Sequence, residues 1–192
     1  MPTPVPTLRR DAARNHDQIV QAARALFAVR GLDVSVDEIT REAGVGMGTL
    51  YRHFPTKDDL ITAVLDEAFV QYVGLAEAAH ESATAWEGIV GFLEQALAMH
   101  AANRGLKELV YSHDRNRRRA DATRRQMRPI LTELVDRAQH ERSLRAGVTA
   151  DDLLLILEGG AGVVQRSGNG AREAAQRFLH LVLPGLLAVS RR

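Results

Sequence analysis

The chain of 192 residues is 45% apolar and 26% charged, which excludes a disordered or collagen-like protein and leaves room for one large domain or for a small domain joined to a larger one. It contains no cysteine, so disulfides, thiolate zinc sites and cysteine nucleophiles are excluded. The formal net charge is only +1, but it is unevenly distributed: Ile61–Asn103 holds six acidic residues and no Lys or Arg, whereas Arg104–Arg145 holds twelve basic and six acidic residues.

The first helix is predicted from apolar residues at intervals of three and four, which is the spacing of one helix face. Gly31 follows at the point where such a helix would end. The repeating residues are Ile19, Ala22, Ala23, Leu26 and Phe27.

Two short helices joined by a tight turn are predicted next. Ser35 and Glu38 have the spacing of a capping box, which begins a helix, and Gly44 ends it. The second short helix carries Leu50 and Phe54, which lie four residues apart on one face and can pack against the first helix. The combination is a helix-turn-helix pattern.

A longer fourth helix begins at Thr56, where "TKDD" supplies an N-cap and acidic residues for the positive helix end. Pro129 and Pro184 should kink or divide their helices, because each removes an amide donor. No segment has the alternating pattern of a strand, so we expect an all-α fold with an N-terminal three-helix head and a C-terminal helical bundle. The later helices are predicted over residues 86–101, 106–112, 116–142, 150–165 and 172–190.

The exposed face of the second short helix carries small or polar residues that leave room for another molecule. A recognition helix needs this arrangement, since its N-terminal residues must reach base edges in the major groove while its amides face phosphate. Arg9 and Arg10 lie in a basic segment before the first helix, which either touches phosphate or the minor groove or is disordered without contact. The residues expected to contact double-stranded DNA are Val36, Gly46, Met47, Gly48, Thr49, Tyr51, Arg52, His53, Lys57, Arg9 and Arg10.

The segment "SVDEITREAGVGMGTLYRHFPTKDDL" resembles the DNA-binding head of the TetR family of ligand-responsive repressors. In that family the recognition helix carries the pattern T-[LIV]-Y-x-[HY]-F, followed by a lysine. Thr49, Leu50, Tyr51, His53, Phe54 and Lys57 fall on that pattern. The resemblance covers roughly the first third of the chain, and it implies a nine-helix protomer, a homodimer formed largely by the last two helices and an effector pocket in the C-terminal part.

The sequence contains no recognisable motif for enzyme catalysis or metal binding. The glycines of "GVGMG" follow a capped helix, whereas a phosphate-binding loop follows a strand. The seven histidines include no H-E-x-x-H motif and no pair four residues apart. We therefore expect no enzyme activity, no cofactor and no metal, although a ligand-binding adaptor without DNA binding and an enzyme on a helical scaffold remain as alternatives.

The basic run Asp114–Arg128 allows three interpretations: a solvated helix face, an anionic-effector site or a second DNA contact. An effector pocket in a helical bundle should be mostly apolar with a few convergent polar groups. The candidate lining residues, each of which is also compatible with ordinary core packing, are Trp86, Phe92, Leu93, Met99, His100, Tyr111, His113, Met127 and Gln165.

The last two helices are more apolar than one buried stripe requires, so either they form a two-fold interface or they serve the core alone. The residues expected at that interface are Leu154, Leu157, Gly160, Val164, Phe178, Leu179, Val182 and Leu186. We expect residues 1–56 to form the DNA-binding domain and residues 57–192 the effector-binding and dimerisation domain. The predicted function is that of a regulator, most simply a repressor, which binds a pseudo-palindromic operator as a dimer and is released by an unidentified small molecule. With no apolar run near the roughly 20 residues of a bilayer span, we expect a cytoplasmic protein without a membrane partner.

Overall fold

A computed structural model describes residues 5–102, 110 and 113–188, with side chains from Arg10 onward. The described residues form eight α-helices and no β-strand, which confirms the all-α prediction. Leu144 and Leu187 make an isolated antiparallel bridge. The helices are α1 Val5–Arg30, α2 Val36–Ala43, α3 Met47–His53, α4 Lys57–His80, α5 Ala85–Ala102, α6 Asp114–His140, α7 Ala150–Arg166 and α8 Ala171–Val182. The helix predicted over residues 106–112 lies outside the described residues apart from Val110, which is helical.

Side-chain caps fix four of the described helix starts, including those predicted at Ser35 and Thr56, and at α5 Thr84 and Glu87 bond reciprocally at 3.2 and 3.3 Å. Ser35 caps α2, Thr56 caps α4 and Thr149 caps α7, and in each case the hydroxyl accepts the backbone N–H three residues on. The third residue after the cap returns a carboxylate to the cap backbone, so these starts are complete capping boxes. The chain therefore enters each of these helices at a defined residue.

Two expectations about helix ends were wrong. Because α1 begins at Val5, the segment that contains Arg9 and Arg10 is helical and is not an extended arm. The last helix ends at Val182 instead of Ser190, and Leu183–Leu186 continues as a 3-10 turn with Pro184 at its start. Pro184 explains that end, because proline has no amide donor for a further helical hydrogen bond. Helix α6, in contrast, continues through Pro129, which is exposed.

A single connected core joins the three-helix head to the body. In the head, Phe27 of α1 and Leu50 of α3 are buried. Helix α4 starts beside the head and packs along α5 and α6 in the body, with Leu60 and Leu65 fully buried. One straight element thus spans both parts, so a shift of α4 within the body also moves the position of the head.

The basic run on α6 lies against acidic residues and helix ends of its neighbours. Arg119 makes a bidentate ion pair with Asp66 of α4, with N–O distances of 2.7 and 2.6 Å. Arg115 donates to the Thr62 hydroxyl at 2.7 Å and to the Asp58 carbonyl at 3.2 Å. The uneven charge along the sequence is therefore partly compensated across the α4–α6 interface, which favours the interpretation of a structural, half-solvated face.

Candidate nucleic-acid interface and body cavity

The turn between α2 and α3 is built by backbone conformation. Gly44 has φ of 66°, a left-handed conformation that side-chain-bearing residues avoid, and its amide bonds back to the Arg41 carbonyl at 3.3 Å. Gly46 is the N-cap of α3. Leu50 and Phe54 point into the core, with 1% and 4% of their surface exposed, and so fix which face of α3 points outward.

The outward face of α3 lies at the surface of the three-helix head, where its mostly small or polar residues are exposed to solvent. Tyr51 is 47% exposed and Met47 is 37% exposed, while Gly48 and Arg52 are also exposed. An added Cβ at Gly48 would meet no atom within 4 Å, so nothing within the protomer requires a glycine there. Thr49 and Val36 are half-buried and present less surface. Arg10 is exposed on α1, whereas the Arg9 side chain lies outside the described residues.

His53 is turned partly toward the head and away from solvent. Its ring lies 6.1 Å from the His16 ring and 6.3 Å from the Phe54 ring, and its buried Nε2 atom has no hydrogen-bond partner among the described residues. Burial lowers the pKa of His53, and the neighbouring Arg52 and His16 lower it further. The neutral imidazole is thus favoured here, and His53 offers less outward surface than the sequence suggested.

Lys57 stands at the first turn of α4, between the helix-turn-helix and α1. Its Nζ donates to the Leu32 carbonyl at 2.6 Å, across 25 residues of chain. The side chain is half-buried, and this bond uses one of its three N–H donors. Lys57 therefore ties α4 to the end of α1 and keeps two donors for another acceptor.

The body contains a cavity of about 110 Å³ between α4, α5, α6 and α7. Of the nine predicted lining residues, His100 and Met127 line it. The sequence pattern missed the others because apolar spacing alone does not distinguish a cavity wall from ordinary core. Those missed residues are Phe69, Tyr72, Val110, Ala120, Thr123, Arg124, Leu154, Leu157, Glu158 and Ala161.

The remaining predicted lining residues lie elsewhere. Phe92 and Leu93 are fully buried in the core, and Trp86 and Met99 pack against that core. Gln165 is exposed on α7. His113, at the N-terminus of α6, has its Nε2 3.3 Å from an Asp58 carboxylate oxygen, and Tyr111 is outside the described residues.

The predicted interface residues on α7 and α8 mostly point into the protomer. Gly160 is one example: an added Cβ would lie 2.6 Å from Leu97 Cδ1, so this glycine serves the packing of α7 on α5. Leu157, Val164, Leu179 and Leu186 are also buried, and Leu154, Phe178 and Val182 are half-buried. The large apolar residues exposed on these two helices are Leu155, at 67%, and Leu181, at 63%.

Metal sites and membrane spans are absent from the part of the chain that the structure describes. No group of three His, Asp or Glu side chains is arranged to hold a metal ion. No described helix is long and apolar enough to cross a membrane. The described surface features are therefore the α3 face, the α7 and α8 face and the body cavity.

Two family models match the chain, one at each end. The model for bacterial regulatory proteins of the tetR family matches residues 19–64, and the model for the C-terminal domain of SbtR-like transcriptional regulators matches residues 83–188. An HTH-type transcriptional regulator of Staphylococcus aureus is 44% identical over 59 residues, which are 30% of this chain and 32% of that protein. The matched region thus spans about a third of the length of such curated relatives.

Solved structures are similar over nearly the whole chain. The TetR transcription regulatory protein from Mycobacterium vanbaalenii is 31% identical with a TM-score of 0.71, covering 94% of this chain and 99% of that one. A TetR transcriptional regulator from Streptomyces coelicolor is 28% identical with a TM-score of 0.69, covering 91% and 99%.

A helix-turn-helix head with an open α3 face, set on an all-helical body, defines the class of helix-turn-helix transcriptional regulators. The chain belongs to the TetR family within that class. It is a DNA-binding transcriptional regulator, and its relatives are regulators and not enzymes.

Proposed function

We propose that this regulator is a cytoplasmic repressor, which binds a pseudo-palindromic operator as a homodimer and is released by a small-molecule effector. Residues 1–56 form its DNA-binding domain and residues 57–192 its effector-binding and dimerisation domain. Membership of the TetR family supports this proposal, because repression, dimerisation and ligand binding are typical of that family.

The observation that carries the proposal is the outward face of α3. Tyr51 and Arg52 are exposed there, next to Gly48 and above the buried Leu50. A guanidinium reads guanine edges in the major groove, and a tyrosine hydroxyl bonds phosphate. We infer that Gly46, Met47, Gly48, Thr49, Tyr51 and Arg52 face DNA, with Val36, Arg9 and Arg10 at the edge of the contact and His53 contributing its outer ring edge.

The dimer is proposed to form through the outward faces of α7 and α8. Leu155 and Leu181 are the large exposed apolar residues on these helices, and burial of such side chains stabilises an interface. Phe178, which is half-buried, lies three residues before Leu181 and so on the same side of α8. In this arrangement the inward-pointing residues of α7 pack against the core of their own protomer and do not contact the partner.

The route from effector to DNA is proposed to run through the α4–α6 pair. Ala120, Thr123 and Met127 of α6 line the cavity, while Arg115 and Arg119 of the same helix hold the first turns of α4. A molecule that enters the cavity and displaces α6 therefore displaces the start of α4, which Lys57 ties to the head. Such a molecule shifts DNA affinity only if it binds the two arrangements differently, and a coupling of about 1–3 kcal/mol would change affinity roughly 5- to 150-fold.

The test is replacement of Lys57, the proposed phosphate contact. Lys57→Ala should weaken binding to all duplexes and flatten the salt dependence of log K by about one unit. Lys57→Arg is the control, because it keeps the charge and should keep the slope. Both variants lose the present ammonium bond to Leu32, so their stabilities should be compared by denaturation. An unchanged slope in Lys57→Ala would remove Lys57 from the DNA contact.

A further inference from the structure

The body cavity has the size of a small ring. Its volume of about 110 Å³ is somewhat below the ~150 Å³ of an engineered apolar cavity that holds benzene. Most of its described wall is apolar or aromatic, with Phe69, Met127, Leu154 and Leu157 among its residues. A cavity of this size and lining suits a compact, mostly apolar molecule.

Tyr72 lines this wall, and its hydroxyl is buried. The residue is 6% exposed, and among the described residues its hydroxyl has no hydrogen-bond partner. Burial alone raises its pKa, so the phenol stays neutral near pH 7. Its ring lies 5.4 Å from that of His100, which also lines the cavity. A buried hydroxyl without a partner costs free energy, and a molecule that supplies one recovers it.

The charged side chains of the wall compensate one another. Arg124 lies 3.4 Å from Glu158 and 3.5 Å from Asp121, and both Arg124 and Glu158 are about half exposed, so the pair lies at the outer edge of the cavity. An anion would have to displace Glu158 from Arg124, and a cation would compete with Arg124 for Glu158. Each exchange gives up an existing half-exposed ion pair, a modest cost, whereas a neutral molecule leaves it in place.

We propose that the cavity takes a neutral molecule of about one ring in size, with one oxygen that hydrogen-bonds to the Tyr72 hydroxyl. The inference rests on the proposed effector function and narrows its chemical class to small phenols, aryl alcohols, ketones or aldehydes. It also argues against an anionic effector, which was one interpretation of the basic run on α6. The arginines of that run that reach the cavity or α4 already have carboxylate or carbonyl partners.

The experiment uses four probes of similar size: phenol, toluene, benzoate and benzylammonium. Each is titrated to millimolar concentration into the full chain at pH 7 without DNA, and binding is measured by calorimetry and by ligand-observed NMR. Phenol should bind best, with toluene about 3- to 10-fold weaker because it cannot bond to Tyr72. Benzoate and benzylammonium should bind more weakly than toluene.

Variants separate the hydroxyl from the cavity. Tyr72→Phe should bring phenol to the affinity of toluene and leave toluene unchanged. Ala120→Leu, which fills the wall, should weaken phenol and toluene alike, whereas Ala122→Leu, exposed on the same helix outside this cavity, should weaken neither. Circular dichroism of each variant checks that the fold is kept.

Three results would overturn the inference: stronger binding of either charged probe than of phenol, no saturable binding of phenol or toluene, or an unchanged phenol-to-toluene ratio in Tyr72→Phe. Binding of the unliganded protein to duplex DNA, chosen by selection from random sequences, is measured separately. A protein that binds DNA but none of the neutral probes refutes only the effector class, whereas a protein without DNA preference refutes the proposed function.

Discussion

At the scale of single residues, Gly48 has no internal reason to be a glycine. It occupies the second position of α3, is exposed, and leaves open space where a Cβ would stand. Glycine costs helix stability relative to alanine because it loses more backbone freedom on folding. A residue that weakens the helix without serving internal packing is expected where another molecule comes close to the backbone.

We therefore predict opposite effects of Gly48→Ala on stability and on DNA binding. The variant should be more stable by less than about 1 kcal/mol, and its affinity for duplex DNA should fall because the added methyl occupies the contact surface. Gly74→Ala in α4 is the matched control, since Gly74 is also exposed with open space at its Cβ. It should stabilise the chain with no change in DNA affinity. Denaturation curves and fluorescence anisotropy give the two readouts, and equal DNA affinity of Gly48→Ala and the parent would refute the contact.

Glu38 illustrates how one carboxylate holds the helix-turn-helix in place. It pairs with Arg30 at the end of α1 and accepts the Ser35 amide at 3.0 Å and the Ser35 hydroxyl at 2.9 Å. The Arg30 bond, followed by the bonds from Ser35, lowers the pKa of Glu38 from 4.5 to about 2. Because the folded-state pKa lies below the unfolded one, the ionised cap stabilises the fold fully above pH 4.5, and this contribution is lost as the pH falls toward 2.

The prediction is that Glu38→Gln becomes less sensitive to acid. Glutamine retains the capping geometry but does not titrate, so the variant should start less stable at pH 6 and lose less stability between pH 5 and pH 3 than the parent. Chemical denaturation followed by circular dichroism at a series of pH values measures the difference. Parallel pH profiles of the two proteins would show that Glu38 titrates alike in the folded and unfolded chains.

At the scale of helices, two arginines of α6 form ion pairs that join it to the neighbouring helices α4 and α7. Arg119 joins it to Asp66 of α4 by two bonds, and Arg128 joins it to Asp151 at the start of α7. Both pairs are largely exposed, so each adds no more than about 1 kcal/mol to stability. They differ in position, because the Arg119–Asp66 pair joins α6 to α4, which is the helix that reaches the DNA-binding head.

Arg119→Gln should therefore affect DNA binding more than Arg128→Gln. With the α4–α6 pair broken, we expect a stability loss within about 1 kcal/mol and an operator affinity at least roughly fivefold lower, since the head positions are then less well defined. Arg128→Gln should change stability by a similar amount and leave DNA affinity within about twofold of the parent. Equal DNA affinities for the two variants would remove the α4–α6 pair from the proposed route.

At the scale of the whole molecule, large exposed apolar residues occur on several helices of the described chain, including α1, α3, α4, α7 and α8. Leu155 and Leu181 lie on α7 and α8, whereas Val70, 72% exposed, lies on α4. A two-fold dimer needs a self-complementary patch, and two neighbouring helices that each expose a large apolar side chain can supply one. Val70 instead lines a groove between α4 and α6 of the same protomer.

We predict that Leu155→Glu combined with Leu181→Glu yields a folded monomer with much weaker operator binding. Two charges buried against the partner are costly, and a monomer reads only one half-site. Val70→Glu is the control and should remain dimeric with unchanged DNA affinity. Light scattering gives the mass and anisotropy the affinity. A doubly substituted protein that stays dimeric at micromolar concentration would place the interface elsewhere.

Local signals were enough for much of the head. The capping boxes at Ser35 and Thr56 and the helix end at Gly44 depend on residues within a few positions, and all of them form. The burial of Leu50 and Phe54 follows from their spacing of four. The start of α1 was missed because its first turns carry few apolar residues, so periodicity does not reveal them.

By itself, the sequence determined the helical class, the order of the helix-turn-helix elements and the side chains that α3 presents outward, because caps, turn glycines and apolar spacing act over a few residues. Only the tertiary structure decided which apolar residues of α7 and α8 face the protomer, which residues surround the cavity, and that the arginines of α6 meet the carboxylates of α4. Those arrangements depend on how helices rotate and cross when they pack, and one helix's sequence does not specify the partner that its faces will meet.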